Sequence, residues 1–185
     1  TGVEGVYADL AFLPPPKDGA LMENAPVPWL LGTQSKAGPA AFDVIGFSNS
    51  IVQELVNLPV MLRQSGIPLS KTERLARPEL PLLILGGANA AFTSLLHQCP
   101  PEITLVDGIF NGEDPDLIAR LLTVCREAKQ RGQSKADCLR ELEKIPGFFQ
   151  PDAPQPTHKT FWRPEQYLAR LARLGQARVH IRRDM

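Results

Sequence analysis

The stretch Pro81-Leu82-Leu83-Ile84-Leu85-Gly86-Gly87-Ala88-Asn89 decides how this chain folds. Its aliphatic residues stand together with no polar residue between them, after a proline and before a glycine pair. A strand with one wet face alternates, whereas a parallel strand buried on both faces carries a continuous apolar run. Pro81 and Gly86-Gly87 cut the run to strand length and argue against a buried helix. In open α/β sheets ligands gather at the carboxyl ends of strands, and glycine there admits a ligand close to the backbone. A glycine pair also simply turns a chain, so its meaning depends on what ends beside it.

Working outward, residues 42–47 (FDVIGF) read as a second strand that ends in Ser48-Asn49-Ser50. A helix is expected over 51–64, with Ile51, Leu55, Leu58 and Leu62 at helical spacing. Asn49 or Ser50 can cap it, Gly66 stops it, and Pro59 kinks or divides it. Residues 3–13 read as a strand stopped by Pro14-Pro15-Pro16, followed by a loop over 17–39 with a short helical turn near 20–24. Residues 68–81 read as a polar connection. Downstream, Asn89 can cap a short helix over 90–97, and at least one of the apolar pieces 103–105 and 108–111 is a strand. Asp114-Pro115 marks a helix start, with a capping residue and then proline at the first helical position; that helix runs to about 131. Ser134 to Asp137 resembles a capping box opening a helix that lasts to 145. Strands alternating with helices predict a parallel α/β sheet. The chain divides into an α/β domain over 1–149, a linker over 150–157 rich in proline and glutamine, and a basic appendage over 158–185. The appendage reads as an amphipathic helix over 164–174 and an alternating strand over 177–182.

The bulk composition restricts function. The 185 residues carry no net charge and are 43% hydrophobic, which is ordinary for a soluble globular protein. No apolar segment approaches the roughly 20 residues that cross a bilayer. The chain lacks a signal peptide and does not begin with Met, so it reads as a cytoplasmic fragment of a larger protein. Cys99, Cys125 and Cys138 make neither a disulfide framework nor a Cys-x-x-Cys metal site. Paired carboxylates and Ser/His/Asp or Cys/His sets are not recognisable, so a self-contained catalytic site is not expected; Asp43 and Asp107 read as turn formers at strand margins. His97 beside Cys99 is too little for a metal centre. The tail holds Lys159, Arg163, Arg170, Arg173, Arg178, Arg182 and Arg183 against Glu165 and Asp184. It reads as an RNA contact or as a solvated face whose Leu168, Leu171 and Leu174 dock on a further domain.

Five pieces in order carry a family resemblance: FDVIGFS, then SGIPL, PLLILGGANA, DGIFNGEDPDLIARLL and SKADCLRELEKIPGFFQP, together covering roughly 42–151. This region resembles the N-terminal, cobalamin-binding-like part of radical S-adenosylmethionine (radical SAM) proteins, which read D-I-I-G-F-S, G-I-P-L, I-A-G-G-P, G-D-G-E-E and I-P-G-V-Y-V-P at similar spacing. The resemblance implies a flavodoxin-like (Rossmann-like) domain ahead of a radical barrel that binds S-adenosylmethionine and a 4Fe–4S cluster. The cluster's Cys-x-x-x-Cys-x-x-Cys is not in this sequence, so that chemistry belongs to a downstream barrel, the expected partner. The Asp-x-His-x-x-Gly that supplies a histidine below cobalt is also not found. Family members carry a strand and helix ahead of the one at 3–13; here either the sequence omits them or another segment, such as 179–181, takes the central place.

The resemblance also places a site. Ser48, Asn49 and Ser50 end one strand and Gly86, Gly87 and Asn89 follow the adjacent one, so all six are candidate cofactor contacts; in cobalamin domains the matching serine and glycine pair touch the nucleotide tail. Small hydroxyls and bare amides can cradle a ring or phosphate; the other reading is that they cap a helix and turn the chain. Gly112 and Glu113 form a third loop at the same edge, reaching the cofactor or capping the next helix. The domain is thus expected to be non-catalytic and to hold a corrin at the carboxyl edge of the sheet without a histidine ligand. The alternative is a cofactor-free scaffold or substrate-recognition domain, with an independent nucleotide- or flavin-binding protein as the third reading.

Overall fold

The run at 82–85 is buried on both faces, as its lack of alternation requires. In the computed structural model, which describes residues 3–90, 103–152 and 159–161, it belongs to β2 (Leu82–Gly86). Strand β2 pairs in parallel with β1 (Val44–Ser48) on one side and with β3 (Gly108–Phe110) on the other; β4 (Phe148–Phe149) then pairs antiparallel with β3. The sheet order is β1-β2-β3-β4. Alternate residues feed two cores. Leu83, Leu85, Ile109 and Phe149 face Leu58, Leu62 and Ile67, while Leu82, Ile84, Phe110 and Phe148 face Leu121, Leu139 and Leu142. Helices on both faces of a mostly parallel open sheet make this an α/β, flavodoxin-like fold. At about 1.5–3 kcal/mol per buried aliphatic side chain, the four aliphatic residues of β2 anchor both layers.

Among the described residues, five α-helices and two 3-10 turns flank the sheet. They are α1 (Pro16–Asn24), α2 (Leu58–Gln64), α3 (Lys71–Leu75), α4 (Pro115–Gln130), α5 (Lys135–Leu142) and a 3-10 turn, Val52–Asn57, ahead of α2; a shorter 3-10 turn, Pro39–Ala41, precedes β1. Pro59 divides the expected helix over 51–64 rather than bending it: it stands in the first turn of α2, where its missing N–H costs nothing. Neither Asn49 nor Ser50 caps that region; the Glu54 carboxylate accepts the amides of Ser50 and Ile51 instead. The starts of α4 and α5 follow the sequence. Asp114 accepts from the Asp116 amide, and Ser134 Oγ accepts from the Asp137 amide.

The strand expected at 3–13 does not form. Gly5 turns the chain at φ +71°, and the Asp9 carboxylate captures the amides of Gln34 and Ser35 at 3.1 and 2.8 Å. Those hydrogen bonds, with Thr33 N–H to the Leu10 carbonyl, tie the segment to the loop at 32–35 instead of to β1. Strand β1 is therefore an edge of the sheet. The helical turn near 20–24 is the end of a longer helix, α1. Helix α3 was not expected, because a five-residue helix within a polar stretch lacks a hydrophobic period; Ser70 caps it. Apart from Ala90, the helix expected over 90–97 lies outside the described residues, as do residues 164–174 and 177–182, including the segment at 179–181.

One buried ion pair ties the layers together. Arg74, at the end of α3, donates to Asp107 Oδ1 at 2.8 and 3.1 Å, and both side chains are fully buried. Arg74 also donates to the Pro68 and Thr104 carbonyls, while Asp107 Oδ2 accepts the Leu83 amide at 2.8 Å. Asp107 is a strut between β2 and β3 rather than a turn former.

Candidate functional site

The carboxyl ends of β1 and β2 lie side by side, with Ser48 in register with Gly86. Beyond them the two loops are stitched together. Asn49 N–H donates to the Gly86 carbonyl at 2.8 Å, Asn89 N–H donates to the Asn49 carbonyl at 3.1 Å, and the Asn89 amide reaches the Ser50 carbonyl. Gly87 adopts φ +103°, and a Cβ there would stand 2.6–2.7 Å from the Asn49 backbone. The contact between the two loops thus by itself requires glycine at 87. Gly86 is under no such constraint; a Cβ would make an ordinary contact 3.7 Å from the Phe110 carbonyl.

A cleft of about 680 Å³ opens beside this junction, lined by Ser48, Asn49, Ser50 and Glu54, and by apolar residues that include Phe47 and Met61. Its far wall is the segment at 9–13, whose Leu10, Phe12 and Leu13 are exposed. Asn49 is 2% exposed, yet neither the oxygen nor the nitrogen of its side-chain amide has a hydrogen-bond partner. A buried polar group without a partner costs roughly 1–3 kcal/mol, and this one stands in the wall of a cleft. Sequence reasoning singled out Asn49, but as a helix cap or a cofactor neighbour; its burial depends on the loop of β2 and has no local signal.

The third loop is arranged differently. Gly112 pairs in parallel with Thr160: Thr160 N–H donates to the Asn111 carbonyl, and Glu113 N–H donates to the Thr160 carbonyl at 2.9 Å. A Cβ at 112 would collide with Thr160 Oγ1. The Glu113 carboxylate pairs with Lys159, whose ammonium also lies 5.1 Å from the Phe161 ring. Asp114 caps α4. The structure therefore groups Ser48, Asn49, Ser50, Gly86, Gly87 and Asn89 at one junction; it buries Gly112 against Thr160 and leaves Glu113 exposed, paired with Lys159.

Two other clefts lie toward the opposite end of the sheet. One, about 730 Å³, lies between residues 5–7 and α4; the other, about 350 Å³, is bounded by the turn between α4 and α5. Among the described residues there is no His/Cys/Asp/Glu cluster able to hold a metal, and no helix is long and apolar enough to cross a membrane. The basic residues from Arg163 onward lie outside the described residues.

An open, mostly parallel sheet with helices on both faces and a cleft at its carboxyl edge defines an α/β domain of the flavodoxin-like class, in which ligands, where bound, sit at that edge. The family described as radical SAM proteins, N-terminal, matches residues 2–151, and the chain belongs to that family. Membership implies a larger radical SAM parent chain that works with S-adenosylmethionine and a 4Fe–4S cluster. Neither a curated protein nor a solved structure matches the chain.

Proposed function

We propose that this is a non-catalytic, cobalamin-binding-like domain of a radical SAM protein, and that the cleft beside Ser48, Asn49 and Ser50 takes the polar tail of the cofactor. The observation that carries the reading is the unpartnered amide of buried Asn49 in the wall of a mixed polar and apolar cleft. A nucleotide tail offers donors and acceptors for that amide, the Ser48 and Ser50 hydroxyls can bond its phosphate, and Phe47 and Met61 supply apolar wall for its base. The donor set fits such a group. Gly112 is buried against Thr160 and the Glu113 carboxylate, though exposed, is already paired with Lys159, so the cofactor's contacts would lie on the β1 and β2 side. When bound, a corrin supplies a cobalt centre for alkyl transfer or radical chemistry to the parent enzyme. The residues of this chain bind and orient it and shield its tail from water.

The test is an absorbance titration of the purified chain with hydroxocobalamin, beside Asn49→Ala and Ser50→Ala. Saturable spectral change in the parent, weakened by either substitution in a folded protein, supports the reading. A flat titration with folded protein would favour the cofactor-free scaffold. Two features support that second reading: a third loop already paired with Thr160 and Lys159, and a Gly87 accounted for by the Asn49 backbone.

A further inference from the structure

Helices α4 and α5 pack against each other across the turn at 131–134, and each brings one cysteine to the contact. Cys125 and Cys138 are far apart by sequence spacing, yet their Sγ atoms lie 3.9 Å apart and share a hydrogen bond. A disulfide needs about 2.05 Å, so the two sulfurs must approach by roughly 1 Å each. Leu121, Ala128 and Leu142 surround the pair in the core between the sheet and these helices. The pair is not sealed in, because both cysteines line the cleft of about 350 Å³, together with Ser134 and the cations Lys129 and Lys135.

We infer that Cys125 and Cys138 form a reversible dithiol–disulfide site, oxidised by a small peroxide that enters through this cleft. The Cys138 thiolate attacks one peroxide oxygen, breaking the O–O bond; the sulfur becomes a sulfenic acid, and the hydroxide released takes the thiol proton as water. The Cys125 thiol then attacks the Cys138 sulfur, forming the S–S bond, and the sulfenic hydroxyl leaves with the Cys125 proton as a second water. Two thiols and one hydrogen peroxide thus become one disulfide and two waters, and a dithiol reductant reverses the change. The order follows from the environment. A hydrogen bond from Cys125 and the charge of Arg131 favour the thiolate of Cys138. The shared hydrogen bond, burial and the charge on Cys138 push Cys125 up. The bond would fix α5 on α4 and hold the intervening turn, and with it the mouth of the cleft.

The experiment treats the reduced 185-residue chain with a small molar excess of hydrogen peroxide, alkylates the remaining thiols and maps the peptides by mass spectrometry. The expected product joins the peptides of Cys125 and Cys138, leaves Cys99 available to alkylation or separately oxidised, is undone by dithiothreitol, and melts several degrees above the reduced protein. Cys125→Ser and Cys138→Ser each abolish the link, whereas Cys99→Ser retains it; if a serine variant does not fold, the alanine variant at the same position replaces it. Three outcomes overturn the inference: both thiols still free in the folded protein after treatment, a link that joins Cys99 to either of them, or sulfinic acid at Cys138 with Cys125 unbonded.

Discussion

Replacing Asn49 by alanine is expected to stabilise this protein while weakening its ligand. Most substitutions of a side chain 2% exposed lose packing or hydrogen bonds and destabilise. Here the amide makes no hydrogen bond to lose, and its oxygen and nitrogen are both withdrawn from water. Removing an unpaired buried amide recovers about 1–3 kcal/mol of desolvation, and the small void left beside an existing cleft takes back up to about 1 kcal/mol. The net gain is then about 0–3 kcal/mol, or up to about 12 °C in melting temperature for a chain of this size. Urea unfolding followed by circular dichroism measures it through the midpoint at constant slope. Ser134→Ala is the opposite-sign control. Ser134 Oγ caps α5, so its loss costs about 1 kcal/mol. A polar ligand that pairs with the amide should bind Asn49→Ala about three- to tenfold more weakly, the value of one hydrogen bond. If Asn49→Ala unfolds at lower urea than the parent by 1 kcal/mol or more at unchanged slope, the amide is already satisfied without ligand. The reading of the cleft as a binding site then loses its support.

Three further outcomes follow from the geometry. Arg74→Met leaves Asp107 buried and unpaired and should cost about 3–5 kcal/mol, with Arg74→Met/Asp107→Asn recovering part of that; a double mutant that adds the two single losses would refute a direct pairing. Gly87→Ala should cost at least about 2 kcal/mol, from its positive φ and the Asn49 backbone in its path, while Gly86→Ala stays within about 1 kcal/mol in the same unfolding assay. The Asp9 carboxyl is held below the usual carboxylate range, chiefly by the Ser35 amide and hydroxyl. With a lowered folded value, its anchoring is complete above the ordinary aspartate range near 4 and fades as the pH falls below it. Hydrogen exchange at Gln34 and Ser35 should therefore quicken, beyond the intrinsic trend, in acid and in Asp9→Asn; equal protection in Asp9→Asn and the parent at neutral pH would show that the carboxylate anchors nothing.

What the sequence disclosed and what it hid separate by the range over which each feature is determined. Strand β2 was legible because burial on both faces writes itself into adjacent residues, and the starts of α4 and α5 because Asp114 and Ser134 cap the turns that immediately follow them. Residues 3–13 misled for the same reason in reverse. Their composition suits a strand, but strand formation needs a neighbour, and the Asp9 carboxylate spends the local hydrogen bonding on a loop some 25 positions away. The Arg74–Asp107 strut, the Cys125–Cys138 contact and the pairing of Thr160 with Gly112 each join residues at least 13 positions apart, so no window of sequence contains them. The site divides along the same line. The grouping of Ser48, Asn49, Ser50, Gly86, Gly87 and Asn89 at the carboxyl edge followed from the strand ends, and these residues do meet there. The roles within it are tertiary. Gly87 looked like an opening for a ligand and is filled by the Asn49 backbone, whereas Asn49 looked like a cap and is the residue left without a partner. The chemistry of the cleft is therefore better probed at residue 49 than at either glycine.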